Sequence, residues 1–323
     1  MRTIALEEHY ATPGFLDGPG RQLMTRRGPE IVDRLCDVDD GRIAEMDAAG
    51  IDVQVLSLNS PGVEQLDAAD AVPLARDAND RLAEAIRRHP ERLAGFAALP
   101  TAAPETAADE LERTVGDYGF VGAMINGHSR GRYLDDAFFW PILERAEALA
   151  VPIYIHPTPP PQAVIDASYT GNYPPEAARV LATRAWGWHV ETATHVLRLV
   201  ASGAFDRYPG LQVVVGHMGE GLSFMLPRVE FALSKVAKLE RPIGAYFVEN
   251  VHYTFAAFNW TPTFLNLLLH VGVDRIMFAT DYPHASMTWA REFLDAVPVS
   301  AADRERIAHG NAERLLHLPR QGS

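Results

Sequence analysis

The sequence predicts a (β/α)8 barrel, and three observations carry that prediction. Eight apolar, β-branched runs recur along the chain, at 3–6, 53–58, 93–99, 120–125, 152–156, 211–216, 251–255 and 275–280. They read as near-continuous apolar segments, as strands of a parallel sheet buried on both faces do. Stretches of helical periodicity separate them, and residues able to do chemistry collect at several of the strand ends, where a barrel builds its active site.

Taken in order, the first run, Thr3-Ile4-Ala5-Leu6, ends abruptly in Glu7-Glu8-His9. A helical pattern at 41–49 leads into the second run, and one at 72–89 follows it. The third and fourth runs are followed by patterns at 105–118 and 138–150. The fifth is Pro152 to His156, followed by a pattern at 185–202. The sixth ends in Gly216-His217 and continues into 221–239. The seventh precedes 263–270, and the eighth ends in Thr280-Asp281 and precedes 301–316. Eight strand-then-helix units suit a barrel in a chain of 323 residues. A doubly wound open sheet is the rival, but no Gly-x-Gly-x-x-Gly turn follows an early strand. No repeat and no linker-like composition divides the chain, so one domain over 1–323 is expected. Two connections are long, at about 10–38 and 157–176, the second rich in proline. Long loops in compact folds often act as lids, so both are expected over the site, with a subunit contact as the alternative.

Composition is that of a globular protein, 47% hydrophobic and 22% charged. With 42 acidic against 29 basic residues the net charge is -13, which argues against a nucleic-acid partner. A single cysteine, Cys36, rules out a disulfide within the chain and a thiolate zinc cluster, and a buried thiol is expected there. No secretory h-region and no membrane-length apolar stretch is read, so a cytoplasmic protein without membrane partners is expected.

Strand side chains alternate faces, so Glu7 and His9 point one way and Glu8 the other. His156, His217 and Asp281 also close strands, so a barrel brings these five residues, from four strand ends, to one mouth. Imidazole nitrogen and carboxylate oxygen without sulfur suit one divalent ion, Zn²⁺ or Mn²⁺, with open coordination positions. Glu220, three residues after His217, can hydrogen-bond the imidazole and fix its tautomer, or can simply sit at a helix N-terminus. Arg228, two turns further on, suits a substrate carboxylate or a salt bridge equally. Asn126 and His128 follow the fourth strand and either face the pocket or form a turn. His284, three residues after Asp281, is a pocket candidate. His195 and His270 read as packing or surface residues, Trp186 and Trp188 as core or interface, and His252, which begins the seventh strand, as lying far from the mouth.

Four motifs together resemble one family. They are Ala5-Leu6-Glu7-Glu8-His9, Tyr154-Ile155-His156-Pro157, Gly216-His217-Met218-Gly219-Glu220-Gly221 and Thr280-Asp281-Tyr282-Pro283. The resemblance is to the metal-dependent decarboxylase branch of the amidohydrolase superfamily, and it runs along nearly the whole chain. It implies that Glu7, His9, His156 and Asp281 bind one divalent metal, that His217 and Glu220 form a catalytic pair, and that Arg228 lies near the site. It also implies a homo-oligomer, tetramer or dimer. The chain departs from resorcylate decarboxylase-like sequences at Phe255-Ala256-Ala257, where they carry Thr-Ser-Gly, and at His284, where they carry Phe.

The expected activity is therefore nonoxidative decarboxylation of a hydroxylated aromatic acid with a hydroxyl ortho to the carboxylate, with no organic cofactor. Asp281 would deliver the proton to the ring, and His217 with Glu220 would orient substrate or relay that proton. The same ligands would serve a hydrolase or hydratase of a lactone, amide or carbon–carbon bond, with Asp281 as base. A catalytically silent barrel would show a damaged ligand set, and this chain has every ligand.

Overall fold

The computed structural model describes residues 1–319, and among these there are nine β-strands, every adjacent pair parallel. In order they are β1 (Ile4–Tyr10), β2 (Val53–Leu58), β3 (Leu93–Gly95), β4 (Ala97–Ala98), β5 (Ala123–Asn126), β6 (Ile153–His156), β7 (Val213–Val215), β8 (Val251–Thr254) and β9 (Ile276–Met277). They pair in sequence order in two runs, β1 to β3 and β4 to β9.

Hydrogen bonds join the two runs at both ends. β3 and β4 are halves of one strand, because the Phe96 N–H donates to Leu56 O at 2.9 Å and the Ala97 N–H to Gly122 O at 2.9 Å. At the other side the Leu6 N–H donates to Phe278 O at 3.2 Å and the His9 N–H to Tyr282 O at 2.8 Å. Eight strands thus close into a barrel, and the expected fold class holds.

Two hydrophobic layers follow from the alternation of strand side chains. Ile4, Leu6, Val53, Val55, Phe96, Met124, Tyr154, Val214 and Met277 fill the interior, with Ala312 and Leu316 from the C-terminal helical segment packed against them. The opposite strand faces pack against the surrounding helices in a larger core. Among those helices are Ala68–Arg88, Pro104–Tyr118, Trp140–Ala148, Gly187–Ala201, Leu222–Leu233 and Thr261–Val271.

The helix Ala68–Arg88 starts before the expected pattern because the Asp67 carboxylate accepts from the Ala69 and Asp70 N–H groups and caps it. The helix Met287–Ala296 was not anticipated, and Ser286 caps it by accepting from the Trp289 N–H. The expected helix 221–239 ends at Leu233, with Ile243–Glu249 as a separate helix. The segment 10–38 is not an open loop: it folds into three short helices, Pro13–Asp17, Leu23–Arg27 and Pro29–Cys36. The later connection similarly contains the helices Gln162–Ser168 and Pro175–Ala182. Cys36 is exposed rather than buried, because Val32 and Leu35 take the inward positions of its helix.

Candidate active site

A bulge in β1 builds the centre of the site. Ile4 pairs with Val53 and Ala5 with Gln54, but Glu8 pairs with Leu56, so β1 holds one extra residue there. Strict alternation would put Leu6 and Glu7 on opposite faces. The extra residue lets Leu6 pack into the barrel core while Glu7 and His9 also turn inward. Glu8 points outward, as expected, and fastens the barrel seam. Its carboxylate accepts from the Thr280 N–H at 2.8 Å, the Thr280 hydroxyl at 2.5 Å and the Gln54 amide at 3.2 Å. Burial pushes the Glu8 carboxyl up to about 8, against those donors.

Glu7, His9, His156 and Asp281 come together as expected. One ligand atom from each lies within 4.8 Å of all the others. His9 Nε2 lies 3.2 Å from Asp281 Oδ1, and His156 Nε2 lies 3.3 Å from Glu7 Oε1. Tyr154 and Thr254 donate their hydroxyls to the other Glu7 oxygen, Oε2, and hold the carboxylate in place. Glu7 Oε1 and His9 Nε2 are buried with no hydrogen-bond partner among the described residues. Buried polar atoms are rarely left so. Two carboxylates and two imidazoles around orphaned acceptors fit a divalent cation.

Electrostatics within the quartet agree with that fit. Burial alone would raise Glu7, but the His217 charge and the His156 contact outweigh it and hold the carboxyl below its usual range. Burial likewise opposes ionisation of Asp281, yet the His9 imidazole 3.2 Å away and the charges of His284 and His217 keep it well below the usual carboxylate range. Both groups therefore sit as carboxylates.

A second cluster stands beside the first. His217 Nδ1 lies 2.8 Å from Glu220 Oε1, the contact expected from their spacing. Its other flank was not anticipated: His189 Nδ1 contacts Glu220 Oε2, so two imidazoles grip one buried carboxylate. Burial opposes a charge on His217, but Glu220 and Glu7 outweigh it and push the imidazole up to about 10. Burial would raise Glu220, but His217 and His189 hold it below its usual range. His189 opens the helix Gly187–Ala201 in Trp186-Gly187-Trp188-His189, and nothing in its local spacing pointed to a residue 31 positions away.

Local backbone geometry at these strand ends is unusual. His217 (φ 48°), Glu220 (φ 57°) and Asp281 (φ 64°) occupy the left-handed region, which non-glycine residues seldom adopt. Gly216 precedes them for a different reason. A Cβ on it would lie 2.3 Å from Glu7 Oε2 and 3.0 Å from the Tyr154 hydroxyl, so only glycine leaves room for the Glu7 carboxylate.

His156, His217, Asp281 and His284 line one cavity of about 600 Å³. His284 Nε2 lies 2.6 Å from Asn59 Oδ1, and burial takes the imidazole down to about 3. Residues from 18–27 and 179–184 supply much of the remaining wall. Pro157 and Pro159 line it from the second long connection.

Two expected substrate contacts are corrected. Asn126 does not line the cavity; it is buried behind it, where its N–H donates to Glu64 Oε1 at 2.7 Å. Arg228 lies exposed on the helix Leu222–Leu233, outside the cavity, with its guanidinium 5.8 Å from the Phe231 ring centre. Two turns of helix carry it away from Glu220 toward the outer surface.

The amidohydrolase family model matches residues 24–318. The chain belongs to the amidohydrolase family. It is 40% identical over 330 residues to the gamma-resorcylate decarboxylase of Polaromonas sp. (strain JS666), covering 98% of this chain and 99% of that one. It is 39% identical to the gamma-resorcylate decarboxylase of Rhodococcus jostii (strain RHA1), with 98% and 99% covered. Among solved structures, 2,6-dihydroxybenzoate decarboxylase complexed with 2,6-dihydroxybenzoate superposes with a TM-score of 0.87 at 37% identity, over 98% of this chain and all of that one (100%). A dihydroxybenzoic acid decarboxylase from Polaromonas sp. JS666, with bound manganese and the inhibitor 2-nitroresorcinol, gives 0.87 at 39% identity, covering 99% and 98%. Within the family the chain belongs to the metal-dependent decarboxylase branch.

Proposed function

We propose that this chain is a manganese-dependent nonoxidative decarboxylase of a hydroxylated aromatic acid, with the hydroxyl ortho to the leaving carboxylate. The observation that carries the reading is the pairing of two clusters at one cavity. The four-ligand group around Glu7 and the His189–Glu220–His217 group stand side by side, with Asp281 and His217 both facing the space a substrate would fill. The manganese and aromatic ligands of the similar structures support the ion and the substrate class.

Glu7, His9, His156 and Asp281 would hold the ion. When bound, it would supply positive charge against the carboxylate and phenolate oxygens of the substrate. Asp281 stands ionised in the resting site and accepts the proton of the ortho hydroxyl as substrate enters. It then returns that proton to the ring carbon bearing the carboxylate. The carbon–carbon bond breaks, its electron pair restores the aromatic ring, and CO₂ departs. The product is left as a phenolate, and protonated His217, held by Glu220, gives its oxygen a proton. Solvent reprotonates His217. The sum is one aromatic carboxylate and one proton in, one phenol and CO₂ out.

The test is CO₂ release from a panel of ortho-hydroxybenzoates by protein of measured manganese content. Release that stops on chelation and returns with manganese is expected. Fully loaded protein that releases CO₂ from none of them overturns the reading and points to hydrolysis instead.

The same proposal includes a homo-oligomer and a cytoplasmic location. Phe224 (76% exposed), Phe231 (71%) and Leu269 (83%) lie on the helices Leu222–Leu233 and Thr261–Val271, which pack together. Such an apolar face suits a second copy of the chain. Light scattering on the eluted protein is expected to give a multiple of the chain mass, and a monomer would remove this part. Among the described residues no helix is long and apolar enough to cross a membrane.

A further inference from the structure

The cavity wall carries a charge pattern that the proposed reaction does not use. Five arginines line it, Arg21, Arg26, Arg27, Arg179 and Arg184, whereas Asp281 is the single carboxylate among its lining residues. The chain as a whole has a net charge of -13, so this local excess runs against the rest of the molecule. Arg179 is matched by Glu176. Arg21, Arg26, Arg27 and Arg184 have no carboxylate within the 4.0 Å ion-pair distance among the described residues.

Arg27 and Arg184 stand out within the group. Arg27 closes the short helix Leu23–Arg27 in the connection after β1, and Arg184 follows the helix Pro175–Ala182 in the connection after β6. Two distant segments thus bring like charges to one wall. Arg27 is half-buried, and burial, then the Arg184 charge, push its guanidinium below its ordinary value, with Asp281 opposing. Its charge also reaches His284, so it stands close to the inner end of the cavity. Arg184 is exposed, so the cost falls on Arg27: a half-buried charge beside a like charge and without a counter-ion is costly, and an anionic ligand removes that cost. The carboxylate that leaves has its place at the ligand quartet, so the arginines are free for another group.

We propose that Arg27 and Arg184 form a second anion subsite in this cavity, so that the substrate is a hydroxylated aromatic acid bearing a second carboxylate that is retained in the product. This rests on the decarboxylase reading of the same site. A planar guanidinium matches a carboxylate through paired N–H donors, and the pair fixes the ring's orientation as well as its affinity.

The experiment compares 2-hydroxybenzoate with its 3-, 4- and 5-carboxy derivatives on manganese-loaded wild-type, Arg27→Gln and Arg184→Gln proteins. CO₂ release and isothermal titration are both recorded, with a thermal melt of each variant as the folding control. One diacid is expected to exceed the parent acid in kcat/KM by about tenfold or more. Each substitution is expected to lower kcat/KM for that diacid by about tenfold beyond its effect on the parent acid, chiefly through KM. Diacids no better than the parent, with equal losses for both, overturn the subsite and leave the decarboxylase reading standing. If no acid is decarboxylated, that reading falls and titration decides the subsite alone. Diacid binding weakened about tenfold by either substitution upholds it, and unchanged binding overturns it.

Discussion

Replacing Gly216 with alanine adds one methyl group where the structure leaves no space. The φ of Gly216 is -76°, a value any residue adopts, so alanine brings no backbone penalty and the effect is steric. The new Cβ would stand 2.3 Å from Glu7 Oε2 and 3.0 Å from the Tyr154 hydroxyl, against an ordinary contact distance of about 3.4 Å or more. A flexible carboxylate could swing aside, but this one is fully buried and held by Tyr154 and Thr254. Retreat by about 1 Å moves Glu7 Oε1 relative to His9, His156 and Asp281, on the steric argument that buried atoms pack at contact. Overpacking of this kind costs about 1–3 kcal/mol of stability. Displacing a group that orients a metal ligand typically costs about 10–100-fold in metal affinity. The assays are urea unfolding of the metal-free protein and manganese titration followed by metal analysis. The expected result is a lower unfolding midpoint and a manganese Kd raised by at least about tenfold. Wild-type manganese affinity in a folded Gly216→Ala protein would refute the placement of Glu7 in the quartet.

Asp281→Asn is expected to lower CO₂ release by about 10²–10⁴-fold while the thermal melt stays near that of the wild type, since asparagine tolerates the left-handed backbone at this position; full activity would exclude Asp281 as the proton carrier. His156→Ala is expected to leave less manganese on the protein after dialysis, and an unchanged stoichiometry by metal analysis would remove His156 from the ligand set. Glu64→Gln tests the buried carboxyl behind the cavity. Burial pushes the Glu64 carboxyl from 4.5 up to about 7, against the Asn126 N–H, so the folded state favours the protonated form. Stability from this group is therefore full below pH 4.5 and falls by about 3 kcal/mol as pH rises to about 7. Glutamine stays neutral, so Glu64→Gln is expected to lose that part of the pH dependence in unfolding midpoints measured from pH 4.5 to 8; identical slopes for both proteins would refute it.

Much of this arrangement was legible in the sequence because a barrel converts strand ends into neighbours. Glu7, His9, His156 and Asp281 needed only eight strands and one common direction to be placed together. His217 and Glu220 needed only local spacing. What escaped had no local signature. His189 reaches Glu220 through the packing of a helix against the strand end, and its own neighbours say nothing of that. Tyr154 is an inward residue of β6, indistinguishable in sequence from core filling, yet its hydroxyl fixes Glu7. Arg228 and Asn126 failed for opposite reasons. Helical spacing from Glu220 carried Arg228 outward, and Asn126, the last residue of β5, lies behind the wall with Glu64.

The bulge in β1 explains why the site needs that particular sequence at its first strand. With the regular alternation of a strand, Ile4 and Leu6 would fill the barrel and Glu8 would follow them inward, leaving Glu7 and His9 among the surrounding helices. One extra residue between Ala5 and Glu8 reverses the parity at the point where core gives way to chemistry. Glu8 then becomes the outward residue, and its contacts to Thr280 and Gln54 tie β1 to the strands on either side. The same seam carries Asp281, one residue beyond Thr280, with a left-handed backbone that local preference would not choose. Such backbone costs on the order of 1–3 kcal/mol per residue and persists where the surroundings overdetermine it. Glu8 therefore does for the metal centre what neither inward residue can: it fixes, from outside the barrel, the register at which Glu7, His9 and Asp281 meet.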